Sequence, residues 1–91
     1  MKQARLIVAG RVQGVFFRAN TKKKADALGL KGWCRNVSSG TEVEIVVQGE
    51  LPHVEQFIDW CRTGPLGARV SKIQVEYEEP SPELKEFEIK Y

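Results

Sequence analysis

The order of strand-like and helix-like patterns is the feature that most restricts how this chain can fold. Segment 5–10 is apolar at both alternating positions, as in a central strand, and segment 69–78 alternates apolar with polar residues. Between them, apolar residues recur twice at helical spacing, each time followed by a glycine. The predicted elements are strands at 5–10, 32–37, 42–48 and 69–78, helices at 18–28 and from 49–52 to 63, and a short last strand through Phe87, Ile89 and Tyr91.

This order of elements predicts an α+β sandwich. Two helices and one sheet bury their apolar faces most simply when both helices pack on the same side of the sheet. A split β-α-β arrangement with strand order 4-1-3-2 makes both crossovers right-handed and places the most apolar strands in the middle. We therefore predict two helices on one face of an antiparallel sheet, with residues 1–91 forming a single domain.

Composition and charge give no sign of a nucleic-acid or membrane partner. The formal net charge is +2, which is too small by itself to argue for nucleic acid. The first residues run into only a short apolar segment, which suits neither a signal peptide nor a membrane span. We expect a cytoplasmic protein that binds neither nucleic acid nor membranes.

The cysteines and the histidine do not form a metal site in the sequence. Cys34, Cys61 and His53 lack metal-ligand spacing, so no metal is expected. Two core thiols in a reduced cytoplasm are the simplest interpretation. A disulfide between them stays open at this point, because it depends on geometry.

A glycine-containing junction joins the first predicted strand to the first predicted helix. It reads Gly10-Arg11-Val12-Gln13-Gly14-Val15-Phe16-Phe17-Arg18. Such a strand–loop–helix junction can wrap backbone N–H groups around a small anion, with a guanidinium at its rim. The junction therefore predicts a binding site for a phosphate-like anion.

The predicted topology brings Asn36 to the same rim as Arg18. The first two strands run parallel with the third between them, so their C-terminal ends lie at one edge of the sheet. Asn36 is unusual in a strand of Trp, Cys and Val, and its amide could hold a water molecule. From the pattern alone, it suits equally well a turn residue before the hairpin at 38–40.

The residue types in the junction restrict the chemistry. The loop contains no carboxylate, histidine, cysteine or serine that could act as a base or a nucleophile. Catalysis there would have to come from positioning and charge stabilisation, so a substrate should carry a good leaving group. A mixed carboxylic–phosphoric anhydride meets this condition, whereas a phosphate monoester does not.

Two stretches of the sequence resemble the signatures of the acylphosphatases. They are residues 10–18 and Gly32-Trp33-Cys34-Arg35-Asn36, the second followed by Gly40, and the resemblance extends over essentially the whole chain. It implies a ferredoxin-like α/β sandwich, and hydrolysis of acyl phosphates to a carboxylate and inorganic phosphate. It further implies that no covalent intermediate forms and that neither a metal nor a cofactor is needed.

The resemblance also assigns roles to matching positions. The side chain of Arg18 would bind the phosphoryl group, and Asn36 would orient the attacking water. The backbone amides of the loop would cradle the phosphoryl group; these phosphate-binding positions are Val12, Gln13, Gly14, Val15, Phe16 and Phe17, together with Arg18.

The chain departs from the family pattern at three places. One extra residue follows Gly40 before the third strand, which predicts a longer or bulged hairpin that could shift Asn36. Ser38-Ser39 replaces a commoner Asp-Gly turn, and Phe16 stands where many bacterial members have glycine, although Phe occurs there in other branches of the family. No matched catalytic position is lost.

Two other functions fit the same pattern of elements. Ferredoxin-like sheets with exposed aromatic residues also bind RNA, but the first and third strands carry no aromatic residue. A domain that binds acyl or carbamoyl phosphates without turning them over is the other alternative. The enzyme is our first choice, and we expect it to be a monomer.

Overall fold

The computed structural model describes residues 1–12, 16–37 and 40–90. They form five strands and two helices. The elements are β1 Lys2–Arg11, α1 Phe17–Ala27, β2 Lys31–Asn36, β3 Glu42–Gly49, α2 Leu51–Thr63, β4 Arg69–Glu78 and β5 Phe87–Lys90. The predicted order of elements is confirmed, and the helices begin and end within two residues of the predicted positions.

The strands form one sheet in the order β4-β1-β3-β2-β5. The predicted order 4-1-3-2 is therefore confirmed, with β5 added at the edge beyond β2. Neighbouring strands are antiparallel except that β5 runs parallel to β2. Because β1 and β2 are both antiparallel to β3, they run parallel to each other. The C-terminal ends of β1 and β2 therefore lie on the same side of the sheet, which we call the site edge.

The core lies between the sheet and the two helices. Alternate residues of the central strands face it and are fully buried: Ala4, Leu6 and Val8 from β1, and Val43, Ile45 and Val47 from β3. The predicted stripe of α2 is confirmed, since Val54, Phe57, Ile58 and Cys61 are all buried. This arrangement is the α+β, ferredoxin-like sandwich predicted from the sequence.

Trp60 closes the rim of this core. Its ring centroid lies 6.2 Å from that of Phe17 in α1 and 6.1 Å from that of Phe57 in α2. These are ordinary tilted aromatic contacts. The prediction of Trp60 as a core-rim residue is therefore confirmed.

The face of the sheet without helices carries an ionic network. Glu44 of β3 is almost buried there and pairs with Arg5 of β1 and Arg35 of β2, whose Nη2 lies 2.7 Å from Glu44 Oε1. Burial acts to lower the pKa of Arg5, but hydrogen bonds to Glu78 and Glu44 outweigh it and raise that pKa. Charged residues can therefore occupy the middle strand because each finds a partner across the ladder.

The chain returns from β4 to β5 across this second face. Ser81 donates its backbone N–H to Oε1 of Gln3 at 2.9 Å and to Oε1 of Gln48 at 2.6 Å. Gln48 Nε2 in turn donates to the carbonyl oxygen of Ser81 at 3.2 Å. Because prolines at 80 and 82 have no N–H, Ser81 supplies the backbone donor of this tripeptide. Two buried glutamines thus hold the connection against the sheet.

Gln48→Met keeps the volume of the side chain but removes both of its hydrogen bonds to Ser81. We expect the free energy of unfolding to fall by about 1–2 kcal/mol, because a buried connection loses polar partners. Urea denaturation measures the change. Gln74→Met, at an exposed position of β4, is the matched control, and an equal loss in both variants would contradict this role of Gln48.

Both thiols are buried and neither forms a disulfide. Cys34 of β2 and Cys61 of α2 both belong to the core. Burial raises the pKa of Cys34 to about 12, against the opposing effect of Arg18 and Lys22. Burial likewise raises the pKa of Cys61. The interpretation as core thiols is confirmed.

No helix in the described part of the chain has the length and apolarity that crossing a membrane requires.

Candidate active site

The end of β1 is fixed on both sides immediately before the predicted loop. The pairing of β1 with β4 shifts register between Ala9 and Gly10. Gly10 has a φ of 133°, and a Cβ atom there would lie 2.1 Å from the carbonyl oxygen of Arg69. Its N–H donates to the carbonyl oxygen of Thr41 at 3.0 Å. Glycine is therefore required here, where the strand approaches β4 and is tied to the β2–β3 hairpin.

Buried side chains anchor the two ends of the predicted phosphate loop. Val12 is 1% exposed and Phe17 is 2% exposed, and both belong to the hydrophobic core. Their side chains are therefore structural, and only their backbone groups are available to a ligand. The other predicted loop residues, Gln13, Gly14 and Val15, lie outside the described residues.

The N-terminus of α1 offers backbone donors without a side-chain cap. Its N-cap residue, Phe16, makes no side-chain capping bond, and the first turn contains no acidic residue. The first amides of a helix have no partner within the helix and carry a partial positive charge. An anion bound there would complete hydrogen bonding at this end of the helix.

Phe16 adopts a left-handed backbone conformation, with φ 55° and ψ 31°. Among the described residues it is the single non-glycine residue with positive φ. Glycine adopts this conformation without steric cost, whereas a residue with a Cβ is strained by about 1–2 kcal/mol. Phe16 therefore carries backbone strain that a glycine at this position would avoid.

Packing of α1 against β2 places the backbone of Arg18 beside Cys34 of β2. The Sγ of Cys34 lies 4.0 Å from the backbone carbonyl oxygen of Arg18. The guanidinium is also close enough to counteract part of the burial effect on the pKa of Cys34. The sequence reasoning did not find this contact, because a cysteine in an apolar strand carries no sign of what it packs against.

Asn36 is the last residue of β2 and lies on the same face as Cys34, about 7 Å farther along the strand. Its Oδ1 atom is buried, with no hydrogen-bond partner in the described part of the molecule. Buried polar atoms are nearly always bonded, so an unbonded one requires an explanation. A water or ligand between Asn36 and the start of α1 would provide that partner.

The extra residue after Gly40 does not disturb Asn36. The register of β2 with β3 is unbroken from Lys31–Gln48 to Asn36–Val43. The pattern continues beyond the strands, since Val37 N donates to the carbonyl oxygen of Glu42 at 3.0 Å. No register shift therefore occurs between Lys31 and Val37. The predicted turn residues Ser38 and Ser39 lie outside the described residues.

Two further cations lie at the same edge. Arg11 and Arg69 are exposed and stand directly opposite each other in the β1–β4 ladder. Like charges in such a pair are mildly destabilising, but they make the edge attractive to an anion. Sequence reasoning missed this pair because the register shift at Gly10 decides which residues face each other.

Comparisons with known proteins show what family this chain is similar to. The family model described as acylphosphatase matches residues 4–89. An acylphosphatase of Aeropyrum pernix is 49% identical over 89 residues, which are 98% of this chain and 88% of that protein.

Solved structures of acylphosphatases share the fold of this chain at lower sequence identity. The crystal structure of acylphosphatase from Bacillus subtilis has a TM-score of 0.94 and 35% identity, with complete coverage of both chains. Full-length HypF, in its phosphate- and nucleotide-bound form, has a TM-score of 0.86 and 35% identity, but this chain spans only 12% of that protein. With the sheet, both signature stretches and nearly the whole sequence in agreement, we conclude that this chain belongs to the acylphosphatase family and is an acid-anhydride hydrolase.

Proposed function

We propose that this protein hydrolyses the carboxyl–phosphate bond of acyl phosphates at the edge where β1 and β2 end. The observation that carries the proposal is the buried Oδ1 of Asn36, which has no hydrogen-bond partner in the described part of the molecule and lies at the end of the sheet where β1 ends and α1 follows. A water molecule bound there would stand next to an anion held at the helix N-terminus. That is the arrangement which direct hydrolysis of a phosphoryl group requires.

The phosphoryl group binds through charge and backbone donors. The amides of residues 12–17 and the first turn of α1 donate to its oxygens, and the guanidinium of Arg18 binds two oxygens at once. These donors stabilise the charge that develops on the equatorial oxygens during transfer. Arg11 and Arg69 increase the local concentration of the anion without touching it.

The attacking water is held by Asn36. Its Oδ1 accepts a hydrogen bond from the water, whose oxygen lone pair attacks phosphorus. The bond between phosphorus and the acyl oxygen breaks as the new P–O bond forms, and its electron pair leaves with the carboxylate. The proton released by the water passes to the phosphate product. A carboxylate is a good leaving group, so no strong base is needed.

No covalent intermediate forms in this scheme. The Cys34 thiol packs against the backbone of Arg18, and burial keeps it protonated by raising its pKa to about 12. Its sulfur also faces the carbonyl oxygen of Arg18. Neither a metal nor a cofactor takes part. We further propose that residues 1–91 act as a single, monomeric domain in the cytoplasm.

The RNA-binding alternative finds little support on the helix-free face. Trp33, the aromatic residue of β2, is only partly exposed there. Lys90 Nζ lies 4.7 Å from the centroid of its ring, and the Arg5 and Arg35 guanidinium carbons lie 5.8 and 5.9 Å away. Three cations already occupy the surroundings that a stacked base would need. We therefore propose no nucleic-acid partner.

The direct test is hydrolysis of acetyl phosphate in excess EDTA, followed by release of inorganic phosphate. We expect enzymatic turnover that the chelator does not change, because the proposed donors all come from the protein. Binding of phosphate without turnover would instead favour the non-catalytic phosphate-binding domain. Loss of turnover in EDTA would overturn the metal-free mechanism.

Arg18→Ala is expected to abolish competitive inhibition by inorganic phosphate and to lower kcat/KM by about 100-fold or more, because the phosphoryl group loses its bidentate cation. Initial rates at several phosphate concentrations measure both effects. Lys24→Ala removes the same charge from the last turn of α1 and is the matched control. Unchanged phosphate inhibition in Arg18→Ala would refute the role of this residue.

Asn36→Ala is expected to lower kcat with little change in KM, because the side chain acts on the water and not on the substrate. Its stability in urea should not fall by more than about 0.5 kcal/mol, since the lost Oδ1 has no described hydrogen bond. Steady-state kinetics and denaturation together test the assignment. A large rise in KM at constant kcat would make Asn36 a substrate-binding residue instead.

A further inference from the structure

Two large apolar side chains are unusually exposed at the edge of the sheet that holds the candidate site. Phe16 is 82% exposed and Leu66 is completely exposed, more than any other large hydrophobic residue in the described ranges. Phe16 precedes α1. Leu66 lies in the connection that leads to β4. This connection passes close to α1, because a Cβ atom added to Gly64 would contact the ring of Phe17. It continues into Arg69, which stands opposite Arg11 in the β1–β4 ladder. The end of the sheet where we propose that an anion binds therefore also exposes apolar side chains.

The backbone of Phe16 shows that this exposure has a cost. Its left-handed conformation strains any residue with a Cβ, and the exposed ring gains little from packing. Its carbonyl oxygen accepts hydrogen bonds at 3.0 Å from both the backbone N–H and the Nδ2 of Asn20, which hold the strained residue in place. Neither of these bonds requires a phenylalanine side chain.

We propose that the ring of Phe16 is a contact surface for the acyl group of the substrate and favours aromatic acyl groups over acetyl. This inference rests on the proposed function. It names Phe16 as a specificity-determining residue through its side chain, separately from the loop amide that it contributes.

The direction of attack supports this placement. Displacement at phosphorus occurs in line, so the leaving carboxylate departs on the side opposite the attacking water. The water at Asn36 is on the buried side, since Oδ1 is itself buried. The acyl group therefore extends toward solvent, where Phe16 displays its ring two residues before Arg18. Contact between an aryl group and this ring removes apolar surface from water on both partners.

The experiment compares kcat/KM for benzoyl phosphate and acetyl phosphate in the unaltered protein, Phe16→Asn and Phe16→Tyr. Asparagine tolerates the left-handed conformation, so this variant removes the ring without adding strain. The ratio of the two kcat/KM values cancels any change in the phosphate-binding amides. We expect Phe16→Asn to lower the benzoyl-to-acetyl ratio by about tenfold. Phe16→Tyr, which keeps the ring, should retain the ratio.

Tyr77→Asn is the matched control. Tyr77 is also an exposed aromatic residue. It stands opposite Ala4 near the start of β1, at the other end of the strand from the candidate site. Its loss should therefore leave the benzoyl-to-acetyl ratio unchanged. An unchanged ratio in Phe16→Asn, or an equal fall in Tyr77→Asn, would overturn the role of Phe16 while hydrolysis itself continues. Failure of the unaltered protein to hydrolyse either compound would overturn the proposed function, and this inference with it.

Discussion

The pairing of β3 between β1 and β2 is the constraint on which the rest of the molecule depends. It makes β1 and β2 parallel although no parallel hydrogen bond joins them, and it brings the end of each to one edge. Because of this ladder, Asn36 at the end of β2 and Arg18 in the first turn of α1 lie at the same end of the sheet, although they are 18 residues apart in the sequence. The register of the ladder is unbroken through Asn36, so the site inherits the rigidity of the middle of the sheet and does not depend on the length of the hairpin.

The two faces of this ladder are stabilised by different interactions. Toward the helices, alternate residues are aliphatic and fully buried, so burial of apolar surface dominates. On the other face, Glu44 and Gln48 are nearly as buried but are held by arginines and by the connection through Ser81. The second face thus uses directional bonds that fix which strand lies beside which.

The sequence predicted most of the fold because hydrophobic periodicity and glycine stops were consistent along the chain. The apolar face of α2 and the end of α1 before Gly29 could be predicted from the residues of each segment alone. Other features depend on contacts between distant segments. The parallel pairing of β5 with β2, the shift at Gly10 and the pairing of Arg11 with Arg69 follow from tertiary register, which no local pattern contains. At the candidate site, the residues named from the sequence stay predictions, and the sequence did not indicate the left-handed backbone of Phe16 or the Asn36 oxygen that has no described partner.

The departures from local rules gather at one edge of the molecule. A register shift at Gly10, facing arginines, a strained phenylalanine and a buried oxygen without a described partner are each unfavourable for folding alone. Elsewhere in the described chain, the helix stops, the core stripe and the ionic network follow ordinary rules. Unfavourable features persist where another free energy compensates them, and a bound oxyanion would compensate several at once. It would be attracted by both arginines and accept hydrogen bonds from amides at the start of α1, and the attacking water would donate to the Asn36 oxygen. The clustering of these features at one end of the sheet is therefore what the proposed phosphoryl site would explain, while the rest of the sheet supplies the stability.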